Sequence, residues 1–372
     1  MTIFLIKISL TVEDAMKKNT KLNFTGQQLY IGLDVHKKSW NVTIILNGFQ
    51  VKKFSMNPSP KELYNYLTKH YPGAEYYSVY EAGFSGFWAD RQLRDLGIKN
   101  IIVNPADVPT KSKERRRKTD RIDSGKLARE LSVGHLEGIY IPDEKIEAFR
   151  ILVRLRRQLV TDQTRIKNRI KSLLLFLGEK VSEDIEEKHW SKKYITALKN
   201  LPIREANSKK ALLELLETLE SLRNQIASVV KQLRKYVAED EEANKIITLL
   251  RSVPGIGFVL SIILYSEIID IKRFKRLDDL ATYVGLSPAV VSSGEKEVTL
   301  GLSKQKNKYI RNYLIEASWT AIRKDPALQM AYGKLIQKMP NNKAILRISK
   351  KLLNRIRSVW KNQQPYLLSV VQ

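Results

Sequence analysis

One apolar stripe constrains the fold of this chain more than any other feature. Eight residues follow one another at alternating spacings of three and four: Leu212, Leu215, Leu219, Leu222, Ile226, Val229, Leu233 and Tyr236. This heptad spacing predicts one long helix with an apolar seam, as in a coiled coil. A similar stripe upstream comprises Leu152, Leu155, Leu159, Ile166, Ile170, Leu173 and Leu177. We therefore expect residues 141–240 to form a long helical coiled-coil hairpin, whose seam has its partner in the same chain or in another.

The charge of the chain narrows the class of partner. Its 372 residues include 65 Lys and Arg against 39 Asp and Glu, for a net charge of +26. Such an excess costs self-repulsion, which a polyanion such as nucleic acid relieves. An anionic membrane surface is the weaker alternative, because no apolar run approaches the roughly 20 residues of a spanning helix. We expect no membrane partner, no signal peptide and a cytoplasmic location.

The chain contains no cysteine, which excludes disulfides, thiol catalysis and cysteine-bound zinc. Its four histidines show no spacing typical of a zinc site. Any bound metal must therefore be held by oxygen atoms, and Mg²⁺ or Mn²⁺ is expected.

Residues 29–140 alternate between strand and helix patterns. Asn47-Gly48 separates two strand-like runs, which is a strong signal of a tight hairpin. The predicted order is three strands, helix, strand, helix, strand, helix, which is typical of a mixed α/β sheet and is the order of an RNase H-like fold. Because residues 241–372 are expected to be mainly helical, the predicted fold class is α/β plus all-α.

Four acidic residues fall at the ends of the N-terminal elements. Asp34 ends the first predicted strand and Glu81 the fourth, while Asp120 and Asp123 share one face of the last helix. Ligands of open α/β sheets collect at the carboxyl ends of strands. Four converging carboxylates repel one another unless divalent cations neutralise them. We predict a metal site here; the alternative is four ordinary surface acids.

A dense basic stretch, KSKERRRKTDRID, leads into the acidic pair. The cations expected to bind phosphate are Lys111, Lys113, Arg115, Arg116, Arg117 and Lys118. The alternative is a solvated charge run or a disordered segment.

A glycine turn lies between two helical runs near residue 255. Gly255 and Gly257 belong to the sequence Pro-Gly-Ile-Gly, which matches a helix-hairpin-helix turn that binds phosphate through backbone N–H groups. A plain tight turn between helices is the alternative.

A serine pair follows in a segment, residues 286–302, that lacks helical periodicity and is expected to be a loop. Ser293, or its neighbour Ser292, is a candidate nucleophile for a phosphodiester, and ordinary loop chemistry is the alternative. A basic helix, expected to start near Ser303, supplies further candidate phosphate contacts at Lys304, Lys308 and Arg311.

Taken together, these motifs resemble a known family over nearly the whole range from residue 30 to 366. YIGLDVHKKSW, VYEAGFSGFWADRQLRDLGI and KTDRIDSGKLAREL are similar to the N-terminal DEDD domain of one group of bacterial insertion-sequence transposases. LLRSVPGIG, LATYVGLSPAVVSSGEK and LSKQKNKYIRNYLIEA are similar to their C-terminal transposase domain. The group is the insertion-sequence one-hundred-and-ten family. Two positions depart from its usual pattern: Glu295 and Lys306 stand where glycine is common.

The resemblance implies roles for the motif residues. Asp34, Glu81, Asp120 and Asp123 match the metal-binding acids of a RuvC-like domain that uses Mg²⁺, and Ser293 matches a serine that links covalently to DNA. The resemblance also implies a structured guide RNA, donor and target DNA, and a homo-oligomer, dimer or tetramer, whose subunits share a site.

The expected organisation is a flexible extension (1–28), a RuvC-like domain (29–140), the helical hairpin (141–240) and a transposase domain (241–372). The expected function is that of a bacterial DNA transposase or recombinase that cuts and rejoins strands. Two alternatives are a metal-dependent, structure-specific nuclease that uses water, and a non-catalytic nucleic-acid scaffold.

Overall fold

The computed structural model describes residues 23–109, 120–180, 190–293, 296–302, 307 and 309–368, with the backbone alone at 120–122, 288–293 and 296–300. The chain divides into two compact units, Met1–Ile141 and Pro142–Gln372. In the described ranges, no helix is long and apolar enough to cross a membrane.

The first unit is built on a five-stranded sheet. Its strands are β1 (Gln28–Val35), β2 (Trp40–Leu46), β3 (Phe49–Met56), β4 (Glu75–Glu81) and β5 (Lys99–Val103). Its helices are α1 (Pro60–His70), α2 (Trp88–Asp95) and α3 (Asp120–Ser132). The strand order is β3-β2-β1-β4-β5, with β1, β2 and β3 antiparallel and β1, β4 and β5 parallel. The predicted mixed α/β sheet and its order of elements are confirmed.

Local sequence signals set the ends of several of these elements. Asn47 and Gly48 both have positive φ, 50° and 80°, which is the conformation that a two-residue hairpin turn requires. The Ser59 hydroxyl accepts a hydrogen bond from the Glu62 N–H at 3.2 Å, and Pro60 follows at the first helical position. These signals make the β2–β3 hairpin and the start of α1 readable from the sequence.

Each face of the sheet packs against different helices. Leu29, Ile31 and Leu33 alternate along β1 and point into a core that contains residues of α1 and α2. The opposite face contributes Val79 and Val103 to a smaller core with Leu127 of α3. Residues at even positions of β1 therefore lie on the α3 side of the sheet.

Of the predicted N-terminal extension, residues 1–28, the first 22 lie outside the described ranges. Residues 23–28 belong to the packed unit. The Phe24 N–H donates to the Pro72 carbonyl at 2.9 Å, and the Phe24 ring contacts the Tyr71 ring edge-on at 5.3 Å. The described part of the first unit therefore includes residues that precede β1.

The second unit is mainly helical, as predicted. Its helices are α4 (Glu144–Leu177), α5 (Lys192–Asn200), α6 (Ala206–Glu239), α7 (Glu241–Arg251), α8 (Phe258–Ile268), α9 (Leu277–Val284), α10 (Arg311–Lys324), α11 (Pro326–Ile336) and α12 (Asn341–Asn362). A short 3₁₀ turn, Ile271–Arg273, precedes α9. Two strands, β6 (Pro288–Ser293) and β7 (Lys296–Leu302), form an antiparallel hairpin.

The helices α4 and α6 are 34 residues long each and pack against each other in opposite directions. One core cluster joins the start of α4 to the end of α6, through residues such as Phe149 and Leu233. Another joins the end of α4 to the start of α6, as with Ile170 and Leu212. The predicted helical hairpin is therefore formed within one chain.

Three sequence expectations in the second unit need correction. Leu155, predicted to lie on the apolar stripe of α4, is 37% exposed. The segment expected to be a loop over 286–302 contains the β6–β7 hairpin instead. The helix expected to start near Ser303 begins at Arg311, because the preceding Asn307 makes a local turn in which its side-chain oxygen accepts from the Tyr309 N–H.

Candidate active site

The carboxyl ends of two parallel strands carry the first two predicted acids. Asp34 is the penultimate residue of β1 and Glu81 is the last residue of β4. Leu33 pairs with Tyr80 across these strands, so the next residues, Asp34 and Glu81, come to the same edge of the sheet. Since side chains alternate along a strand, both acids lie on the face that α3 covers. The structure brings these two predicted site residues together.

A close backbone contact fixes α3 against the same strand. A Cβ atom placed on Gly32 would lie 1.9 Å from the Ser124 carbonyl oxygen and 2.5 Å from the Ala128 nitrogen. Only glycine allows β1 and α3 to approach this closely. The buried hydroxyls of Ser124 and Thr43 lie 2.9 Å apart and add a second link between helix and sheet.

This contact brings α3, which carries the second acidic pair, against β1. Asp123 adjoins Ser124 in α3, and Gly32 is two residues before Asp34 in β1. Asp120 is the first residue of α3, one turn earlier, and its side chain lies outside the described part of the structure. That the two pairs of acids converge on one edge of the first unit stays a prediction.

Asp34 is largely buried, with 17% of its side chain exposed. Its Oδ2 atom lies 3.1 Å from Nε2 of His36, two residues further on. A histidine at this distance can donate a hydrogen bond to the carboxylate and hold it in one orientation. Position 36 was not among the predicted site residues.

The donor set at this edge consists of carboxylate oxygens, which suit a hard divalent cation such as Mg²⁺. Among the described residues, no group of three or more His, Asp or Glu side chains forms a cluster that could hold a metal ion. The chemistry of the donors fits such an ion, while the described side chains alone do not complete its coordination.

The candidate serine lies in the second unit, at the end of a strand rather than in a loop. Ser292 and Ser293 are the last two residues of β6, paired with Glu297 and Lys296 of β7. Only their backbone is described. Both serines therefore lie at the end of β6 that pairs with the start of β7.

The glycine turn has two different environments. Gly255 has a φ of +88°, and a Cβ atom placed on it would lie 2.5 Å from the Ala317 carbonyl oxygen of α10. Gly257 precedes α8, and a Cβ atom placed there meets nothing within 4 Å. Close packing between helices therefore accounts for Gly255, while the backbone at Gly257 is open to a ligand.

Most of the predicted basic contacts lie outside the described residues. These are Lys111, Lys113, Arg115, Arg116, Arg117, Lys118, Lys304 and Lys308. Arg311 is described; it is the first residue of α10 and is half-buried.

A buried ionic network in the second unit was not predicted from the sequence. Glu267 of α8 is 1% exposed, and both of its oxygens accept hydrogen bonds from Arg154, at 2.8 and 2.9 Å. The Asn307 amide donates to the same carboxylate at 3.0 Å, and the Tyr283 hydroxyl donates to the Glu267 carbonyl oxygen. The network joins α4, α8 and α9 to the segment between the serine hairpin and α10.

Burial and charge act in opposite directions on the arginines of this network. Burial disfavours the charged guanidinium of Arg154, but the hydrogen bonds and negative charge of Glu267 outweigh it and raise the Arg154 pKa. The neighbouring Arg150 donates to the Ser266 carbonyl, and its burial lowers its pKa. A single acid in the otherwise apolar sequence FVLSIILYSEI is the signal that could have revealed Glu267, because a buried carboxylate needs a cation.

Two family models match separate parts of the chain. Residues 31–178 match a model of the IS110 type of DEDD domain, described as a transposase. Residues 247–333 match a model described as the transposase IS116/IS110/IS902 family. Together the two matches cover more than half of the chain, in the order that the sequence motifs predicted.

Three curated relatives illustrate the similarity. The protein y4qE of Sinorhizobium fredii, a candidate transposase by its name, is 30% identical over 66% of this chain and 58% of its own length. The transposase for insertion sequence element IS1111A of Coxiella burnetii is 25% identical over 74% of this chain and 75% of its own. The transposase for insertion sequence element IS1533 of Leptospira borgpetersenii is 24% identical over 88% of this chain and 96% of its own length.

The match spans less than two thirds of the length of y4qE and of a second Sinorhizobium protein, y4rJ, at 58% and 66%. The two domain matches are nevertheless both to transposase domains of this family, and they occur in the order that the sequence motifs predicted. This chain therefore belongs to the IS116/IS110/IS902 family of insertion-sequence transposases.

Proposed function

We propose that this protein cuts and rejoins DNA strands, with the acids of the first unit as its metal site and Ser293 as its nucleophile. One observation carries the proposal: β1 and β4 bring Asp34 and Glu81 to one edge of the sheet, and the close approach at Gly32 holds α3, which carries Asp120 and Asp123, against β1. Ordinary surface acids do not require such a close approach of helix to strand. We also propose that the first unit is a RuvC-like domain of the RNase H-like fold, which its strand order supports.

In this proposal, Asp34, Glu81, Asp120 and Asp123 hold Mg²⁺, or Mn²⁺ in its place. Bound metal would neutralise the carboxylates and the phosphate and polarise the phosphodiester. The close contact between helix and strand would then set the spacing of the acids, and His36, whose Nε2 atom lies 3.1 Å from Asp34, would hold one of them in place. Replacing any of the four acids by its amide removes a negative charge while keeping the side-chain shape.

The strand-transfer step assigned to Ser293 can be written in full. Its hydroxyl oxygen forms a bond to the phosphorus as the bond to one strand oxygen breaks, and the serine proton leaves to a base while the departing oxygen takes up a proton. A hydroxyl of another strand then attacks the same phosphorus and releases the serine. The phosphodiester count is unchanged, so the exchange needs no energy source.

We further propose DNA, both donor and target, and a structured guide RNA as partners, and a dimer or tetramer whose subunits share a site. The net charge of +26 supports a polyanionic partner. The α4–α6 hairpin, which we propose to be a coiled coil, exposes Leu175 and Phe176 near its far end, at 84% and 86%. Large exposed apolar side chains of this kind are typical of protein contacts.

The decisive experiment compares two neighbouring serines. The protein, with any RNA that copurifies, is incubated with Mg²⁺ and labelled DNA that joins an element end to its flank, and covalent protein–DNA adducts are separated on denaturing gels. We expect an adduct with the natural protein and with Ser292→Ala, and none with Ser293→Ala. Loss of the adduct in Ser292→Ala alone would move the nucleophile to that residue.

The same assay tests the two alternatives. A nuclease that uses water would cleave without an adduct, keep cleaving in Ser293→Ala and lose cleavage in Asp120→Asn. A scaffold would bind the DNA without cleaving it at any metal concentration. Sequencing of the copurified nucleic acid tests the guide: one discrete RNA is expected, and a random mixture of cellular RNA would contradict it.

A further inference from the structure

The last helix, α12, carries positive charge without any internal neutralisation. Its sequence, NNKAILRISKKLLNRIRSVWKN, contains no acidic residue and the cations Lys343, Arg347, Lys350, Lys351, Arg355, Arg357 and Lys361. Its apolar side, including Ile348, Leu352 and Ile356, is buried in the core of the second unit. The helix also lies beyond both family matches, which end at residues 178 and 333.

Three of these cations form one exposed stripe. Lys343, Arg347 and Lys351 follow each other at intervals of four residues, so they share one face of the helix. In the described part of the chain, none of the three has an acidic group within ion-pair distance. Their neighbours differ: Lys350 pairs with Asp278 at 2.7 Å and Arg355 with Asp325 at 3.2 Å. Like charges at this spacing disfavour the helix, so the stripe is not explained by stability.

The stripe borders a cavity of about 1290 Å³ in the second unit. The opposite walls are largely apolar and come from α9, α11 and the end of β7, with Leu277, Leu302 and Ala331 among them. The cavity therefore offers a row of cations on one side and an apolar surface on the other.

We propose that this cavity binds a single strand of nucleic acid, with its phosphates along Lys343, Arg347 and Lys351 and its sugars and bases against the apolar walls. The cations span about 12 Å along the helix axis, at 1.5 Å per residue, which a few nucleotides of extended strand can follow. A duplex keeps its bases stacked inside and presents its phosphates outward, so it can use only the cationic wall. A single strand exposes both kinds of group.

The position of the cavity relates it to the serine hairpin, and in this respect the inference rests on the proposed function. Leu302 lines the cavity and pairs with Pro288 at the base of the β6–β7 hairpin, whose other end carries Ser293. A strand held in the cavity would have its continuation next to the hairpin. The site thus serves to hold a strand rather than to react with it.

The test measures binding by the full-length protein without metal, so that no strand chemistry takes place. The probe is a fluorescent single-stranded DNA oligonucleotide of mixed sequence, with its duplex form measured in parallel, from about 0.1 to 1 M salt. The test variant is Lys343→Gln/Arg347→Gln/Lys351→Gln. Loss of three phosphate contacts should make log K, where K is the binding constant, fall less steeply with log salt, by about 2 units of slope. Single-strand binding should weaken about 10- to 100-fold at the lowest salt.

A matched variant separates this site from the effect of net charge. Lys52, Lys61 and Lys69 are exposed lysines of the first unit, and their triple change to glutamine removes the same charge. We expect its single-strand affinity and salt slope to stay within about twofold of the natural protein. Both variants should unfold at the same temperature as the natural protein or at a higher one, because only exposed side chains change.

Equal binding by the two triple variants would overturn the proposal. So would a loss confined to the duplex, or a loss of binding to labelled polyglutamate with the oligonucleotide unaffected, which would indicate an acidic peptide as the ligand. We expect Ser293→Ala to bind the strand as the natural protein does. This binding test therefore remains valid if Ser293 is not the nucleophile, and the adduct test remains valid if the cavity does not bind a strand.

Discussion

At the scale of single residues, Gly32 determines how closely α3 can lie against β1. A methyl group at this position would lie 1.9 Å from the Ser124 carbonyl, and backbone atoms of α3 cannot rotate away as a side chain can. We expect Gly32→Ala to push α3 off β1, to lower the free energy of unfolding by about 3 kcal/mol, and to abolish DNA cleavage. Urea unfolding and the cleavage assay measure the two effects.

Gly125, in α3 itself, is the matched control for Gly32. A Cβ atom placed on Gly125 meets its nearest neighbours at 3.8–3.9 Å, which is ordinary contact. Because alanine favours helix over glycine, Gly125→Ala should stabilise the protein by up to about 1 kcal/mol. If Gly32→Ala were as harmless as this control, the close contact would not be what positions the acids.

The Arg154–Glu267 pair gives a second prediction at this scale. Glu267 is fully buried, so Arg154→Ala leaves its charge only partly compensated by Asn307. We expect a loss of about 3 to 5 kcal/mol of unfolding free energy, measured by urea denaturation. Arg165, also on α4, pairs with Asp162 at the exposed surface, and Arg165→Ala should cost less than about 1 kcal/mol. Similar losses for the two variants would contradict the role given to burial.

The residues that the sequence could and could not reveal differ in one physical respect. Asp34 and Glu81 stand at the ends of strands that local patterns predict, so their common edge follows from the order of elements. The fit of Gly32 against α3 and the Arg154–Glu267 pair join residues that lie about 90 and 113 positions apart. No local pattern encodes such contacts, and a single sequence therefore cannot show them.

At the scale of elements, the two β-hairpins differ in how far the sequence could predict them. Asn47-Gly48 allowed the β2–β3 hairpin to be predicted, because few other residue pairs adopt positive φ at both positions. The β6–β7 hairpin pairs Ser293 with Lys296, but the Ser-Ser-Gly sequence that begins at Ser292 is equally common in loops. Only the valines at positions 290, 291 and 298 hinted at strands.

The junction between α6 and α7 leads to a prediction on pH. The Asp240 side chain accepts from the Ala243 N–H at 2.8 Å and pairs with Lys145 of α4. Burial alone would raise the Asp240 pKa, but these two partners lower it below its ordinary value of 3.8. A carboxyl with a lowered pKa adds stability above its unfolded pKa, and that stability is lost as the pH falls through the folded value.

We therefore expect Asp240→Ala to cost about 1 kcal/mol of unfolding free energy at neutral pH. The difference from the natural protein should shrink as the pH falls below 3.8, because the natural carboxyl is then losing its charge. Urea unfolding at several pH values measures it. The adjacent Glu239 is exposed, and Glu239→Ala should change stability by less than about 0.5 kcal/mol at every pH. A difference that is independent of pH would show that Asp240 acts without its charge.

At the scale of the whole molecule, each unit has its own hydrophobic interior. Two apolar clusters, around Leu33 and around Val79, belong to the first unit. Two others, around Leu264 and around Leu216, belong to the second. The sequence pattern changes from mixed to helical near residue 141, and the two units divide between residues 141 and 142. The finer division of the second unit at residue 240 stays a prediction, because one cluster includes residues from both sides of it.

Independent interiors predict that the two units fold separately. We expect residues 23–141 and residues 142–372, expressed apart, each to unfold cooperatively in urea with the circular dichroism of its own elements, since each buries a core of its own. Neither piece alone should form the covalent DNA adduct, because the carboxylates lie in one and Ser293 in the other. Mixing the two pieces with DNA and Mg²⁺ should restore some adduct if the proposed division of labour holds. An adduct formed by residues 142–372 alone would show that the acids of the first unit are not required.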